Sequence, residues 1–332
     1  MENLLTSSPT WMNVLIYLLL AAGLLVIVLG FVCYVILAER KVLGFIQLRV
    51  GPNKTGGPLG LLQTVADVLK LLIKEDIIPK KADKPLFILA PVIAFVPSFA
   101  VLVVIPFSEN LYFSDIAVGL LLYFAFATIT TLGMITGGWA SNSKYALLGG
   151  MRAAAQMISY EIPLVLSVVG VVLLSGSLNL NDIVRAQENV WFIIPQILGF
   201  IVFIVAASAE TNRVPFDLPE GESEIVAGYH IEYSGFRFAF FMLTEYVYLF
   251  AMACLTTVLF LGGWQPLPFL GFIPGVVWFG LKFACVVFFM VWMRGTLPRI
   301  RGDHLMQLAW KVLLPLAIIN IIVTAVIKTL FF

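Results

Sequence analysis

This chain is poor in the residues that hold redox centres. It has three cysteines and two histidines in 332 residues. Cys33, Cys254 and Cys285 fall within apolar runs and none is in CxxC spacing, which excludes a disulfide framework and the usual spacing of an iron–sulfur or zinc site. They read as inert core thiols. His230 and His304 lie in connections, so no intramembrane histidine pair is available to haem. Neither GxxxxGK[ST] nor a GxGxxG leading into a helix occurs. These absences predict no cofactor held covalently or by metal ligation; any electrons or nucleotides would sit on other subunits. Charge is scarce too. Only 12% of residues are charged, against about 25% in a soluble domain. The net charge of +1 gives no basis for nucleic-acid binding. Internal repeats, low-complexity stretches and soluble appendages are lacking.

What the chain has is hydrocarbon. Hydrophobic residues make up 61% of it and the mean hydropathy is +1.02, which defines an integral membrane protein. The reading is all-α: one polytopic bundle over 1–332. Apolar runs cover about Asn13–Leu37, Leu86–Phe107, Ile116–Trp139, Ala153–Leu174, Trp191–Ala209, Phe238–Leu261, Phe272–Met293 and Leu308–Leu330. Each reaches about the 20 residues a helix needs to cross a bilayer, which predicts eight spans. Glu2 is the only charged residue before the first run, which ends at Glu39-Arg40-Lys41, so it reads as a retained span with a stop-transfer boundary rather than a cleaved leader.

Lys and Arg set the orientation. Arg40, Lys41, Arg49, Lys54, Lys70, Lys74, Lys80, Lys81 and Lys84 lie between the first two runs. Lys144, Arg152, Arg213, Arg237, Arg294, Arg299 and Arg301 fall in the later connections on the same side, whereas the other side holds only Arg185 and Lys328. The expectation is charged loops in the cytoplasm and both termini outside.

The first loop opens with turn-formers from Arg49 to Pro58. From about Leu59 to Glu75 the residues Gln63, Asp67, Lys70 and Lys74 form one polar stripe on an apolar cylinder. Two readings stay open, an amphipathic interfacial helix and a helix buried in the bundle. Pro91, Pro97, Pro163, Pro195 and Pro315 fall inside runs, as membrane helices tolerate when neighbours satisfy the freed carbonyls.

Carboxylates within the runs carry the chemistry. Glu161 and Glu245 lie inside the fourth and sixth, Glu210 closes the fifth and Glu39 closes the first. A charge at a helix centre costs about 2.5–3.5 kcal/mol even on the lenient insertion scale, so such groups are paired or used. At 100° per residue Arg152, Gln156 and Ser159 share a face, with Glu161 roughly 200° from Ser159. Polar groups on two faces require protein or a wet cavity around this half-span. Lys282 is expected against a carboxylate or backbone carbonyls, and Trp11, Trp139, Trp191 and Trp264 read as interface anchors. Beyond Glu210 comes a dense insert with Arg213 and the carboxylates Asp217, Glu220, Glu222 and Glu224. Like charges this close titrate together. Proton or cation handling and a plain solvated loop both fit that spacing.

Several stretches together resemble a known family. They are Glu39-Arg40-Lys41 with Arg49-Val-Gly-Pro-Asn53, Ala155 to Glu161, Ala209 to Asp217, Glu220 to Gly235, and Arg294-Gly-Thr-Leu-Pro298-Arg299-Ile-Arg301. In order and spacing, nearly end to end, the chain is similar to the subunit 1 family of proton-pumping NADH:quinone oxidoreductase, respiratory complex I. The resemblance implies a membrane subunit that gives quinone access at the junction with the peripheral arm and couples quinone reduction to proton translocation. It implies proton-coupling roles for Glu161, Glu210, Asp217, Glu220, Glu222, Glu224 and Glu245. It places Glu39, Arg40, Arg49, Asp67 and Arg299 at the quinone cavity or its entrance. Quinone would be the substrate, with NADH and iron–sulfur clusters on partner subunits. The implied partners are other membrane subunits including antiporter-like ones, peripheral-arm quinone-site and iron–sulfur subunits, and membrane lipid. The implied location is the bacterial cell membrane or an organellar inner membrane. Two alternatives stand beside it: a membrane subunit of a related energy-converting hydrogenase or ferredoxin-linked complex, and a stand-alone proton-coupled transporter.

Overall fold

The computed structural model describes residues 10–57, 59–266 and 273–331, without the side chains of Thr10, Glu222, Ser223 and Phe331. Among the described residues there are helices and no strands, as hydrocarbon demands of a chain that must satisfy its backbone polar groups internally. The start of the seventh expected run, Phe272, lies outside them.

The chain falls into two units, Met1–Lys70 and Leu71–Phe332. The first holds α1, Thr10–Ile46, and most of α2, Gln63–Ile73. Helix α1 runs 37 residues, well past the apolar run that predicts it, because Glu39, Arg40 and Lys41 continue the helix instead of ending it. The turn after it is tight: a Cβ on Gly60 (φ +64) would stand 2.3 Å from Pro52 O, so this position takes only glycine. Helix α2 is shorter at both ends than the expected Leu59–Glu75. Residues 59–62 are spent in turns, and the helix stops at Ile73.

In the second unit α3 spans Lys84–Ala100 and passes into a 3₁₀ turn, Val101–Val104. Then come α4 (Gly119–Ala140), α5 (Lys144–Ser175), a short α6 (Leu180–Arg185) and α7 (Ile197–Glu210). After the charged insert, with its one-turn α8 (Glu222–Ile225), follow α9 (Gly235–Phe260) and α10 (Gly275–Thr296). The chain ends in α11 (Gly302–Gln307), a π-turn (Leu308–Leu313) and α12 (Leu314–Phe331), which run on without a break. The widened turn sits just before Pro315, whose missing N–H and bulky ring an ordinary turn cannot accommodate.

Among the described residues, seven helices are long and apolar enough to span a membrane, where the sequence predicts eight. The difference lies at the fifth. Pro195 cannot donate a backbone bond, residues 192–196 form turns, and the regular helix over Ile197–Glu210 is only 14 residues long. Small residues set the closest approaches, as they do where lipid supplies no hydrophobic drive between helices. A Cβ on Gly133 of α4 would stand 2.5 Å from Ala94 N of α3. At one end of the bundle, Gln187 accepts from Phe192 N and Gly262 N and donates to Ile183 O and Val258 O. Beside it Lys282 donates to Gly263 O at 3.0 Å and Gln265 O at 2.7 Å. Backbone carbonyls, one of the two partners expected for Lys282, are therefore what it meets. Trp191, expected to be only an interface anchor, lies with its ring 4.2 Å from that ammonium.

Candidate functional site

The charged insert between α7 and α9 folds back onto the bundle, and α5 is its floor. Gly149 makes this possible. A Cβ there would lie 2.6 Å from the backbone of Gly228, and one on Gly228 (φ +63) would lie 1.8 Å from Pro219 O. Helix and loop thus meet backbone to backbone. Gln156, two turns further on and fully buried, donates through Nε2 to Ala209 O (2.7 Å), Phe216 O (2.7 Å) and Asn212 Oδ1 (3.1 Å). It ties the last turn of α7 to the chain reversal beyond it. Tyr160 stacks obliquely on Phe216 and donates to Leu305 O at 2.9 Å, and Ser159 accepts from Trp310 Nε1 at 3.3 Å. The face Arg152–Gln156–Ser159 therefore meets protein along its length. Glu161 points to the other side and accepts from Thr128 of α4.

The carboxylates form a series. Glu210, at the end of α7, accepts from Tyr248 OH at 3.3 Å and lies within electrostatic reach of Glu161. Glu245 of α9 pairs with Arg213 Nε at 2.9 Å, both almost completely buried, and the Arg213 guanidinium sits 4.3 Å from the Tyr246 ring centroid. Between Glu210 and Glu245 lies a small cavity bounded also by Thr130, Asn212, Thr244 and Tyr248. Its open volume of about 10 Å³ is at the threshold for one water molecule. In the loop beyond, Glu220 has Glu245 and Asp217 within electrostatic reach. Burial raises the Glu220 carboxyl well above the usual carboxylate range, and the charges of Glu245 and Asp217 push it further. His230 places Nδ1 4.0 Å from Glu220 Oε1, and burial depresses its imidazole to about 4, so it is neutral at pH 7.

Around the rim the charges pair with cations. Glu224 accepts from Arg152 at 2.5 Å, and this bond holds its carboxyl below the usual range. Arg299 lies over Gly221, where a Cβ would meet its Nη2 at 2.7 Å, and Ile300 N donates to Pro215 O at 3.1 Å. The structure thus gathers Glu210, Asp217, Glu220, Glu224, Glu245 and Arg299 around one loop, with Glu161 further into the bundle near Glu210. The Glu222 side chain lies outside the described residues. Arg40, Arg49 and Asp67 belong to the other unit. There Arg40 and Asp67, both expected by resemblance at the quinone cavity or its entrance, form an ion pair of 2.6 Å, while Arg49 Nε donates to Gln47 at 2.8 Å. Glu39 lies on α1 beside Arg40.

The sequence assigned no role to Gln156 or Tyr248 and did not point to the pairing of Arg213 with Glu245. Spacing along the chain could not have found that pair; helix periodicity did put Gln156 on a polar face.

Fold and site define a multi-pass, all-helical membrane protein whose protonatable groups enter the bundle from one charged loop. The NADH dehydrogenase family model matches residues 19–325, and the chain belongs to that family. It is 70% identical over 332 residues to the H subunit of NADH-quinone oxidoreductase from Anoxybacillus flavithermus, covering 100% of both chains. The identity is 68% to the protein of that name from Geobacillus thermodenitrificans, again with 100% of both covered. It is 70% over 331 residues to that of Bacillus cereus, covering 100% of this chain and 99% of the other.

Proposed function

We propose that this chain is a single integral membrane domain serving as the H subunit of a bacterial proton-pumping NADH:quinone oxidoreductase. In this reading it gives quinone access at the junction with the peripheral arm and passes the effect of quinone reduction into the membrane as proton movement. The naming of its relatives supports the complex. The observation that carries the coupling role is the series Glu220–Glu245–Glu210–Glu161, which leads from the loop into the bundle by way of a cavity between Glu245 and Glu210. A carboxylate accepts a proton when a negative charge appears nearby, and neighbouring carboxylates share it because they cannot all ionise. Arg213 pairs with Glu245, Tyr248 and Thr128 orient Glu210 and Glu161, and the loop carries Asp217, Glu220, Glu222 and Glu224 next to where the reduced quinone would form. Glu39, Arg40, Arg49, Asp67 and Arg299 are assigned to the quinone cavity or its entrance by resemblance. NADH and the iron–sulfur clusters belong to partner subunits, and the chain carries no redox centre of its own. With Trp191–Ala209 counted through its turns, the membrane is crossed eight times, with both termini outside.

Glu161→Gln in the assembled complex tests this. The amide keeps the Thr128 contact and removes the proton. NADH oxidation with an artificial acceptor is expected to stay normal, while quinone reduction and proton pumping fall together by roughly ten-fold or more, the scale of a lost proton-transfer group. Normal pumping per electron pair in an intact complex would remove Glu161 from the path.

A further inference from the structure

The start of α3, the end of α4 and the start of α5 enclose a cleft of about 450 Å³ that plays no part in the carboxylate series. Two bonds across the segments hold it open: Asp83 N donates to Ala140 O at 3.0 Å, and Asn142 Nδ2 donates to Lys81 O at 3.0 Å. Asn142 itself takes a left-handed conformation (φ 48), which asparagine tolerates better than most residues. One part of the lining is a set of donors: the Lys81 and Lys144 ammonium groups, the Asn142 amide and the Ser143 hydroxyl. Both lysines are exposed, and among the described residues neither is in an ion pair. Asp83 is the one carboxylate of the lining, so the cleft is net positive. The other part is apolar. Trp139 is 67% exposed and Leu147 40%, and both sit where helices α4 and α5 reach their ends on the side of the basic loops.

This pairing of chemistries selects the ligand. A small soluble anion would use the lysines and leave Trp139 and Leu147 in water. A zwitterionic lipid would cover the apolar wall while bringing its own cation to two others. An anionic phospholipid matches both parts, and basic pockets between helix ends, with a tryptophan at headgroup level, are the places such headgroups occupy. We propose that this cleft is a binding site for an anionic phospholipid, its phosphate on Lys81 and Lys144 and its acyl chains along Trp139 and Leu147. The lipid would brace the turn Ser141–Ser143 that sets α5, the floor of the charged loop.

Native mass spectrometry of the purified full chain, offered equal amounts of phosphatidylglycerol and phosphatidylcholine, tests the site. The most tightly retained lipid should be phosphatidylglycerol. Each lysine near a lipid surface contributes roughly a five-fold gain in affinity, so Lys81→Gln with Lys144→Gln should weaken retention about thirty-fold. The charge-matched pair Lys54→Gln with Lys311→Gln should leave it unchanged. An equal loss in that control would reduce the effect to bulk charge, and release of the lipid by millimolar inorganic phosphate would make this a small-anion site; either result overturns the proposal. A photoreactive p-benzoylphenylalanine at Leu147 in the membrane-embedded complex supplies the last arm. An adduct of phospholipid mass is expected, and an adduct to another protein would overturn the proposal by making this face a protein contact.

Discussion

The Gln156 amide reaches two backbone carbonyls and the Asn212 side chain, so one buried residue closes the turn after α7. Arg213 does the corresponding electrostatic task for Glu245. Removing one partner of such a buried pair costs about 3–5 kcal/mol because the other charge is left uncompensated, whereas the exposed pair of Arg301 with Asp303 contributes little. His230 gives a pH-dependent prediction. Its folded pKa of about 4 lies below the ordinary 6.5 of an unfolded histidine. Between those values the unfolded chain takes up a proton that the folded chain refuses, so stability falls as pH drops through that window, by up to about 3 kcal/mol. Glu220, raised in the folded state, works in the opposite sense. His230→Gln should therefore flatten the decline in melting temperature between pH 6.5 and pH 4 without altering Glu220; an unchanged slope would show that the imidazole is charged in the fold. The sequence placed His230 in a connection. Its burial came from the loop folding inward, which no local pattern encodes.

Helix α5 shows what an element adds. Its sequence carries a small-residue stretch, Ala146, Gly149, Gly150 and Ala153, and a glycine inside a helix costs up to about 1 kcal/mol relative to alanine. The Gly228 backbone explains why glycine occupies position 149. Gly149→Ala would recover that helix propensity, but its Cβ would fall 2.6 Å from backbone atoms that cannot rotate away. Overpacking of this kind costs about 1–3 kcal/mol, so the clash wins. The expected outcome is unchanged helical circular dichroism, a melting temperature several degrees lower and faster proteolysis in the Asp217–Glu224 loop. A higher melting temperature would mean that loop and helix are not in contact. At this scale the apolar runs predicted the main helices well, and missed where backbone groups decide: at Pro195, where α7 starts late, and before Pro315, where a π-turn appears.

For the whole molecule, the three cysteines lie on α1, α9 and α10, away from the charged loop in sequence. The purified chain is accordingly expected to show no haem, flavin or iron–sulfur absorption and no NADH oxidation, and any such spectrum would overturn the assignment of electron carriers to partner subunits. The loop can be tested apart from docking. A complex carrying Glu220→Gln with Glu222→Gln should assemble and oxidise NADH with artificial acceptors while quinone-linked turnover and pumping collapse. Failure to assemble, with the surviving complexes pumping normally, would make the loop a docking surface.

The sequence by itself determined the class: uninterrupted apolar runs of membrane length leave the backbone no choice but helix, and charges inside them must be paired or used. Its motif order also determined the family. Only the tertiary structure decided which charges meet. Arg213 and Glu245 are 32 positions apart and Gln156 lies 53 from Ala209. Contacts at such separations depend on how helices cross and loops fold back, which is set by the summed packing of the bundle and leaves no periodic trace along the chain.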